Sequence, residues 1–141
     1  AGYENERTFP VGKKGAFTFM RDYIGESNSD LRIWISLTVL GKNYEELGGV
    51  DPAKLSAFND PTIRTKFVND VVTFLKKYDL AGVDIDWEYP IGPDWGQAIS
   101  CSPNDGENFI KLLSDLRVAL DALEQITDKD YTVSIAVPAS T

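Results

Sequence analysis

The segment from Leu80 to Pro90 constrains the fold of this chain more than any other. Its apolar and β-branched residues, with a turn signal on each side, predict a buried strand of a parallel sheet that is covered on both faces. Side chains alternate across a strand, so one face carries three acids, Asp84, Asp86 and Glu88. The other face carries Val83, Ile85 and Trp87. Because neighbouring buried carboxylates repel one another and lose hydration, their presence predicts a functional role.

Glu88 lies at the predicted carboxyl end of this strand, just before Tyr89 and Pro90 turn the chain away. Sheets and barrels of alternating strands and helices carry their chemistry at that end. The chain has no histidine, and Cys101 is its single cysteine. These counts exclude an internal disulfide framework, a zinc site and catalysts of the Ser-His or Cys-His type. If the site is catalytic, carboxylates carry it.

The formal net charge of −8 and the pI near 4.5 argue against nucleic acid or an anionic membrane as a partner. A neutral or cationic ligand fits this surface better. The 141 residues suffice for one domain, and none of their apolar runs approaches the length of a membrane-spanning helix. The start at Ala1 does not resemble a signal peptide, so we expect any targeting segment to be missing or already removed.

Helices and strands alternate along the sequence. Apolar periodicity and turn signals predict helices over 14–27, 60–78 and 102–125, and strands over 31–37, 80–90 and 131–138. Two helix starts have local signals: Asp60 before Pro61, and a capping box beginning at Ser102 with Pro103 as first helical residue. Residues 38–59 are predicted to form a long loop with at most one helical turn near its end.

This order predicts right-handed crossovers and a parallel sheet with helices outside it, an α/β fold. Three strands cannot close a barrel, which takes eight strands and about 250 residues. The alternatives are a small open sheet and a piece of a larger barrel. We favour the piece, because the chain opens without a strand and ends on an apolar one that needs a neighbour.

The stretch Gly82-Val83-Asp84-Ile85-Asp86-Trp87-Glu88-Tyr89-Pro90 resembles the fourth barrel strand of the family 18 glycoside hydrolases, whose signature is D-G-x-D-x-D-x-E. Two further segments resemble parts of fungal chitinases, including the killer-toxin-like ones: Asp105-Gly106-Glu107-Asn108-Phe109 and Ser134-Ile135-Ala136-Val137-Pro138-Ala139. The resemblance implies that residues 1–141 are a partial family 18 catalytic domain, with about strands 3 to 5 of a (β/α)8 TIM barrel and their flanking helices. The remainder of the barrel is then expected outside this segment.

The resemblance also implies a mechanism. In this family the 2-acetamido oxygen of the substrate acts as the nucleophile, so a second flanking carboxylate is not needed. Glu88 would be the acid and base, Asp86 would orient the acetamido group, and Asp84 would share a proton with Asp86. The implied substrate is chitin or N-acetylglucosamine oligosaccharides, the implied location is extracellular, and no cofactor or metal is implied. Tyr89 and Trp95 are candidate sugar-binding residues, because both follow the acidic strand at the presumed active-site end.

The sequence departs from the family pattern at two places. Ala81 stands where the signature has its first aspartate, and this predicts slower turnover or a shifted pH optimum. The third-strand pattern S-x-G-G is Ser36-Leu37-Thr38-Val39, which lacks both glycines and predicts a hindered approach of substrate.

Other interpretations of the acidic strand are a solvated or salt-bridged face and a carboxylate metal site. A chitinase-like binding module or toxin subunit with weak or no catalysis is the alternative function. Trp34 and Trp87 are predicted to be core residues, and the pairing of Cys101 stays open.

Overall fold

The computed structural model describes residues 15–27, 30–38, 58, 60–87, 90 and 104–137. Three helices alternate with three strands in this part of the chain. In order they are α1 (Ala16–Ser27), β1 (Trp34–Thr38), α2 (Pro61–Tyr78), β2 (Gly82–Asp86), α3 (Asp105–Thr127) and β3 (Thr132–Ile135). The predicted α/β order is therefore confirmed.

The three strands form one parallel sheet in the order β1-β2-β3, so β2 is the central strand. Ala81, just before β2, makes the first hydrogen bond to each neighbour. Its N–H donates to the carbonyl of Ile33 at 2.8 Å, and its carbonyl accepts from the N–H of Thr132 at 3.0 Å. The central position of β2 means that both of its edges are paired, which holds the acidic stretch in a single register.

One face of the sheet is buried under α2 and α3. On β2 the side chains of Val83 and Ile85 are fully buried, and that of Trp87, just past its end, is 1% exposed. These residues share a core with apolar side chains of the two helices, among them Val68, Val71, Leu75, Leu112, Leu116 and Leu120. The predicted apolar face of β2 is therefore confirmed.

Helix α2 starts and ends with local signals that the sequence carries. The carboxylate of Asp60 accepts the N–H of Thr62 at 2.8 Å, and Pro61 occupies the first turn. At the other end Asp79 adopts a left-handed conformation (φ 55°), which aspartate tolerates better than most residues. The N–H of Leu80 then bonds back to the carbonyl of Leu75 at 3.0 Å. This closing turn directs the chain into β2.

Helix α3 ends in the same way, with Asp128 at φ 53°. Lys129, the next residue, forms an ion pair with Asp79, so the two helix ends are joined at the amino edge of the sheet. The hydrogen bond to Asp79 raises the pKa of Lys129.

A second ionic cluster fastens α3 to the start of β3. Arg117 donates to Glu124 at 2.6 Å and to the carbonyl of Tyr131 at 2.7 Å. Glu124 also accepts the N–H of Tyr131 at 2.9 Å. The backbone hydrogen bond from Tyr131, supported by the Arg117 guanidinium, lowers the pKa of Glu124.

Two expectations from the sequence are wrong. Helix α3 does not begin in a capping box at Ser102 and Pro103: its N-cap is Asn104, which makes no side-chain capping bond, and its first residue is Asp105. Aspartate is one methylene shorter than the glutamate that normally closes a capping box. Instead, Asp105 is buried in the first turn, so tertiary packing sets this helix start.

Trp34 is also not a core residue, because 42% of its surface is exposed in the described structure. Its position on β1 places it opposite Gly82, on the face away from the helices. Among the described helices, none is long and apolar enough to cross a membrane.

Gly82 is required by the close approach of β3. A Cβ at this position would lie 2.5 Å from the backbone oxygen of Thr132. We expect Gly82→Ala to lower the free energy of unfolding by about 1 to 3 kcal/mol, because the strands must separate to admit the methyl group. Urea denaturation followed by circular dichroism measures this.

Gly25→Ala is the matched control, since a Cβ there meets nothing within 4 Å. It removes a flexible glycine from helix α1, so it should stabilise the protein by about 0.5 to 1 kcal/mol. Equal effects of the two substitutions would contradict the steric explanation.

The lowered pKa of Glu124 predicts a dependence of stability on pH. Because the folded-state pKa lies below the unfolded value of about 4.3, the ionised carboxylate stabilises the fold above that value. This contribution is lost as the pH falls through the folded-state pKa. Melting temperatures measured from pH 7 downwards should therefore fall less steeply below about pH 4.3 for Glu124→Gln than for the wild type. Parallel curves for the two proteins would rule out this role for Glu124.

Candidate active site

The face of the sheet opposite the helices carries the acidic residues of β2, and we call it the open face. Its central row consists of Ser36 on β1, Asp84 on β2 and Ser134 on β3, which are direct register partners. The hydroxyl of Ser36 donates to Oδ2 of Asp84 at 2.8 Å, and that of Ser134 donates to Oδ1 at 2.6 Å. Each oxygen of the Asp84 carboxylate thus accepts one hydroxyl hydrogen bond, from opposite sides.

Asp86 lies on the same face, two residues closer to the carboxyl end of β2. Its register partner on β1 is Thr38. Asp84 and Asp86 are both half-buried, whereas Val83 and Ile85 are fully buried. Within the described residues, helices cover only the apolar side of β2, so the expectation of a strand covered on both sides is not met there.

The amino end of the open face has a different character. Trp34, Gly82 and Thr132 form the row before Asp84. Arg32 extends across it, and its guanidinium donates to the hydroxyl of Thr132 at 3.3 Å. An exposed aromatic ring and a cation therefore precede the acids along the sheet.

The described residues contain no group of three histidine, cysteine, aspartate or glutamate side chains placed to hold a metal ion. At Asp84, both carboxylate oxygens accept hydrogen bonds from serine hydroxyls. The geometry around this residue is thus that of a hydrogen-bonded carboxylate.

Four residues singled out in the sequence lie outside the described part of the chain: Glu88, Tyr89, Trp95 and Cys101. Glu88 directly follows Trp87, the last described residue of the acidic stretch before this gap. The roles given to these residues stay predictions. So does the loop predicted over 38–59, which lies outside the described residues at 39–57 and 59, whereas Thr38 belongs to β1.

Trp87 anchors the carboxyl end of β2 from the helical side. Its ring packs at 5.8 Å from that of Phe58 and at 5.4 Å, edge to face, from that of Phe109. Beside Phe109, the fully buried Asn108 donates to the carboxylate of Asp105 at 3.4 Å. The first turn of α3 thus packs behind the residue that precedes Glu88.

This anchoring has an unusual polar feature. Among the described residues, neither the buried indole N–H of Trp87 nor the side-chain oxygen of Asn108 has a hydrogen-bond partner. A buried donor without a partner costs about 1 to 3 kcal/mol in desolvation. The aromatic contacts of Trp87 therefore offset the desolvation free energy of its buried N–H.

The sequence prediction gave no role to the two serines that hold Asp84. The available signal was that each serine is a polar residue within an apolar strand. When the strands are in register, both serines lie on the same face as the acids. Local sequence does not determine the register between strands that are separated by helices. The row of Ser36, Asp84 and Ser134 is therefore visible only once the sheet is known.

Comparison with known proteins identifies a family. The sequence profile described as Glycosyl hydrolases family 18 matches residues 4–141, nearly the whole chain.

Two relatives bear on function. Chitinase A1 of Niallia circulans is 44% identical over 79 residues, which cover 55% of this chain and 11% of that protein. The killer toxin subunits alpha/beta of Kluyveromyces lactis are 34% identical over 77 residues, covering 55% of this chain and 6% of theirs. The chain thus spans only a small part of the length of these relatives.

The fold has counterparts among solved structures. Chitinase ChiW from Paenibacillus sp. str. FPU-7 superimposes with a TM-score of 0.70 at 32% sequence identity. The match covers 89% of this chain and 13% of that one. The helix and strand arrangement described above is therefore similar to part of a chitinase structure.

The unpaired indole nitrogen of Trp87 leads to a prediction about stability. Trp87→Phe keeps an aromatic ring between Phe58 and Phe109 and removes the buried donor, so its cost in unfolding free energy should stay below about 1 kcal/mol. Trp87→Ala leaves a cavity and should cost about 3 to 5 kcal/mol. Urea denaturation of both variants measures the difference. Equal losses in the two variants would contradict this prediction.

Proposed function

Because this chain belongs to family 18 of the glycosyl hydrolases, we propose that it is part of an enzyme that hydrolyses β-1,4-linked N-acetylglucosamine polymers, chitin and its oligosaccharides. The observation that carries the proposal is the arrangement on the open face. Asp84 and Asp86 lie on one face of the central strand, and Asp84 is held by hydroxyls from both neighbouring strands. In the sequence, Asp86 is followed by Trp87 and Glu88, the end of the family signature.

In the proposed mechanism the acetamido oxygen of the substrate attacks the anomeric carbon, as in substrate-assisted family 18 enzymes. Glu88 protonates the leaving oxygen and then, as a base, activates the water that completes hydrolysis. Asp86 accepts a hydrogen bond from the acetamido N–H and orients that group. Asp84 shares a proton with Asp86, and no metal takes part.

Two residues after the strand are proposed to contact the sugar. Tyr89 would line the pocket beside the acid, and Trp95 would stack on a pyranose face, since aromatic rings present flat apolar surfaces. Both assignments follow from their position behind Glu88 in the sequence.

We further propose that the three described strands are about strands 3 to 5 of a (β/α)8 barrel, with the open face turned towards the barrel interior. Two observations support this. The open face carries polar and half-buried side chains, and the outer strands β1 and β3 each pair on one side only within the described sheet. An extracellular location is proposed because chitin is an extracellular polymer.

The alternative function is a chitin-binding module or toxin subunit with weak or no turnover. Ala81 favours it, because the family places a carboxylate there, whereas the role of Ala81 in this structure is carried by its backbone. Thr38 and Val39 in place of two glycines also favour it. The similarity to the killer toxin subunits gives the alternative a second source of support.

The decisive experiment compares the full-length protein with its Glu88→Gln variant. Hydrolysis of short chitin oligomers should fall by about 10²- to 10⁴-fold, because the variant lacks the general acid, while oligomer binding is retained. Product release measured by chromatography and binding measured by calorimetry separate the two effects.

Glu107→Gln is the matched control, since Glu107 is exposed on α3 and should leave the rate unchanged. Equal rates for wild type and Glu88→Gln would refute the acid assignment. Binding without product from either protein would establish the binding module instead.

A further inference from the structure

The hydroxyl of Ser134 makes the shorter of the two hydrogen bonds to Asp84. The distance is 2.6 Å, against 2.8 Å from Ser36, and Ser134 is half-buried whereas Ser36 is exposed. An O–H to carboxylate bond of 2.5 to 2.7 Å lies in the range of strong, charge-assisted hydrogen bonds. Of the two contacts, the one from β3 therefore restrains the carboxylate more.

The two hydrogen bonds act on different oxygens from opposite strands. Ser36 holds Oδ2 and Ser134 holds Oδ1, so together they set the rotation of the Asp84 carboxylate about its last side-chain bond. With only one of them, one carboxylate oxygen is no longer held, so that rotation is less restrained. Ser134 thus holds Oδ1, the oxygen that Ser36 leaves unrestrained.

We propose that Ser134 is a positioning residue for hydrolysis: its hydroxyl fixes the Asp84 carboxylate so that Asp84 can exchange a proton with Asp86. The inference rests on the function proposed above. Ser134 itself lies in the row of Asp84, one row away from Asp86 along the sheet, so it acts through Asp84 and does not contact the reacting atoms.

The substitution Ser134→Ala removes one oxygen atom and leaves strand β3 otherwise intact. We expect kcat for chitin oligomers to fall by about 10- to 100-fold, the loss that follows removal of an outer hydrogen-bond partner of a functional side chain. KM should change less than about twofold, because the carboxylate is repositioned and no substrate contact is removed. Ser134→Thr keeps the hydroxyl and should restore most of the rate.

Thr132→Val is the matched control. Thr132 lies on the same strand and the same face, and its hydroxyl also takes part in a hydrogen bond, with Arg32. Valine replaces it with nearly the same shape, so this variant should retain the wild-type kcat. A fall of kcat in Thr132→Val equal to that in Ser134→Ala would overturn the proposal, since the loss would then not depend on the contact with Asp84.

The kinetic measurements test the positioning role of Ser134 separately from the hydrolase function on which it rests. Loss of kcat in Ser134→Ala, with rescue by threonine, supports the positioning role. An unchanged kcat, or a KM that rises as much as kcat falls, overturns it while leaving the hydrolase assignment in place.

If the wild type releases no product at all, the proposed function fails, and crystal structures of the wild type and Ser134→Ala then test the positioning separately. A carboxylate of Asp84 that rotates in the variant supports it, and one that keeps its orientation overturns it.

Discussion

The two-sided pairing of β2 is the constraint on which the rest of this structure depends. A central parallel strand must satisfy its backbone on both edges, and Ala81 begins both sets of hydrogen bonds. Once the register is set, alternation sends Val83 and Ile85 into the core and Asp84 and Asp86 to the open face. The acids are thus positioned by the same backbone that positions the core. A shift of β2 by one residue against either neighbouring strand would move the acids and the apolar residues together to the opposite faces.

The two ends of the sheet are stabilised by different means. At the amino end, where α2 and α3 finish, ion pairs and left-handed aspartates close the helices and join them, as in the pair of Lys129 with Asp79. Towards the carboxyl end, aromatic packing around Trp87 takes over. In barrels of alternating strands and helices, the amino ends of the strands commonly serve stability and the carboxyl ends carry the chemistry.

Local signals predicted the parts of the fold that local interactions determine. The start of α2 followed from Asp60 and Pro61, and the two faces of β2 followed from simple alternation. The start of α3 did not follow from its sequence, because burial of Asp105 outweighed a weak capping pattern. Trp34 was misjudged for a related reason, since a tryptophan in a strand is buried only if its face is covered.

In the candidate site, too, some residues could be predicted from local sequence and others only from the tertiary structure. Asp84 and Asp86 were found from one strand, whereas Ser36 and Ser134 stand 48 and 50 residues away from Asp84 and meet it only through pairing across the sheet. Single-strand reasoning finds the charged groups of a site but not the neutral groups that orient them. The roles proposed for the acids come from the family resemblance, and their neighbours are seen only in the sheet.

The contrast between Trp34 and Trp87 has a spectroscopic consequence. One indole stands 42% exposed on the open face, and the other is enclosed at 1% on the opposite side of the same sheet. Their emission maxima and their access to a soluble quencher must therefore differ, so each face of the sheet carries its own intrinsic fluorophore. Once Trp95, the third tryptophan of the chain, is replaced, events among the acids and events in the core can be followed separately by fluorescence, without attaching a label to either face.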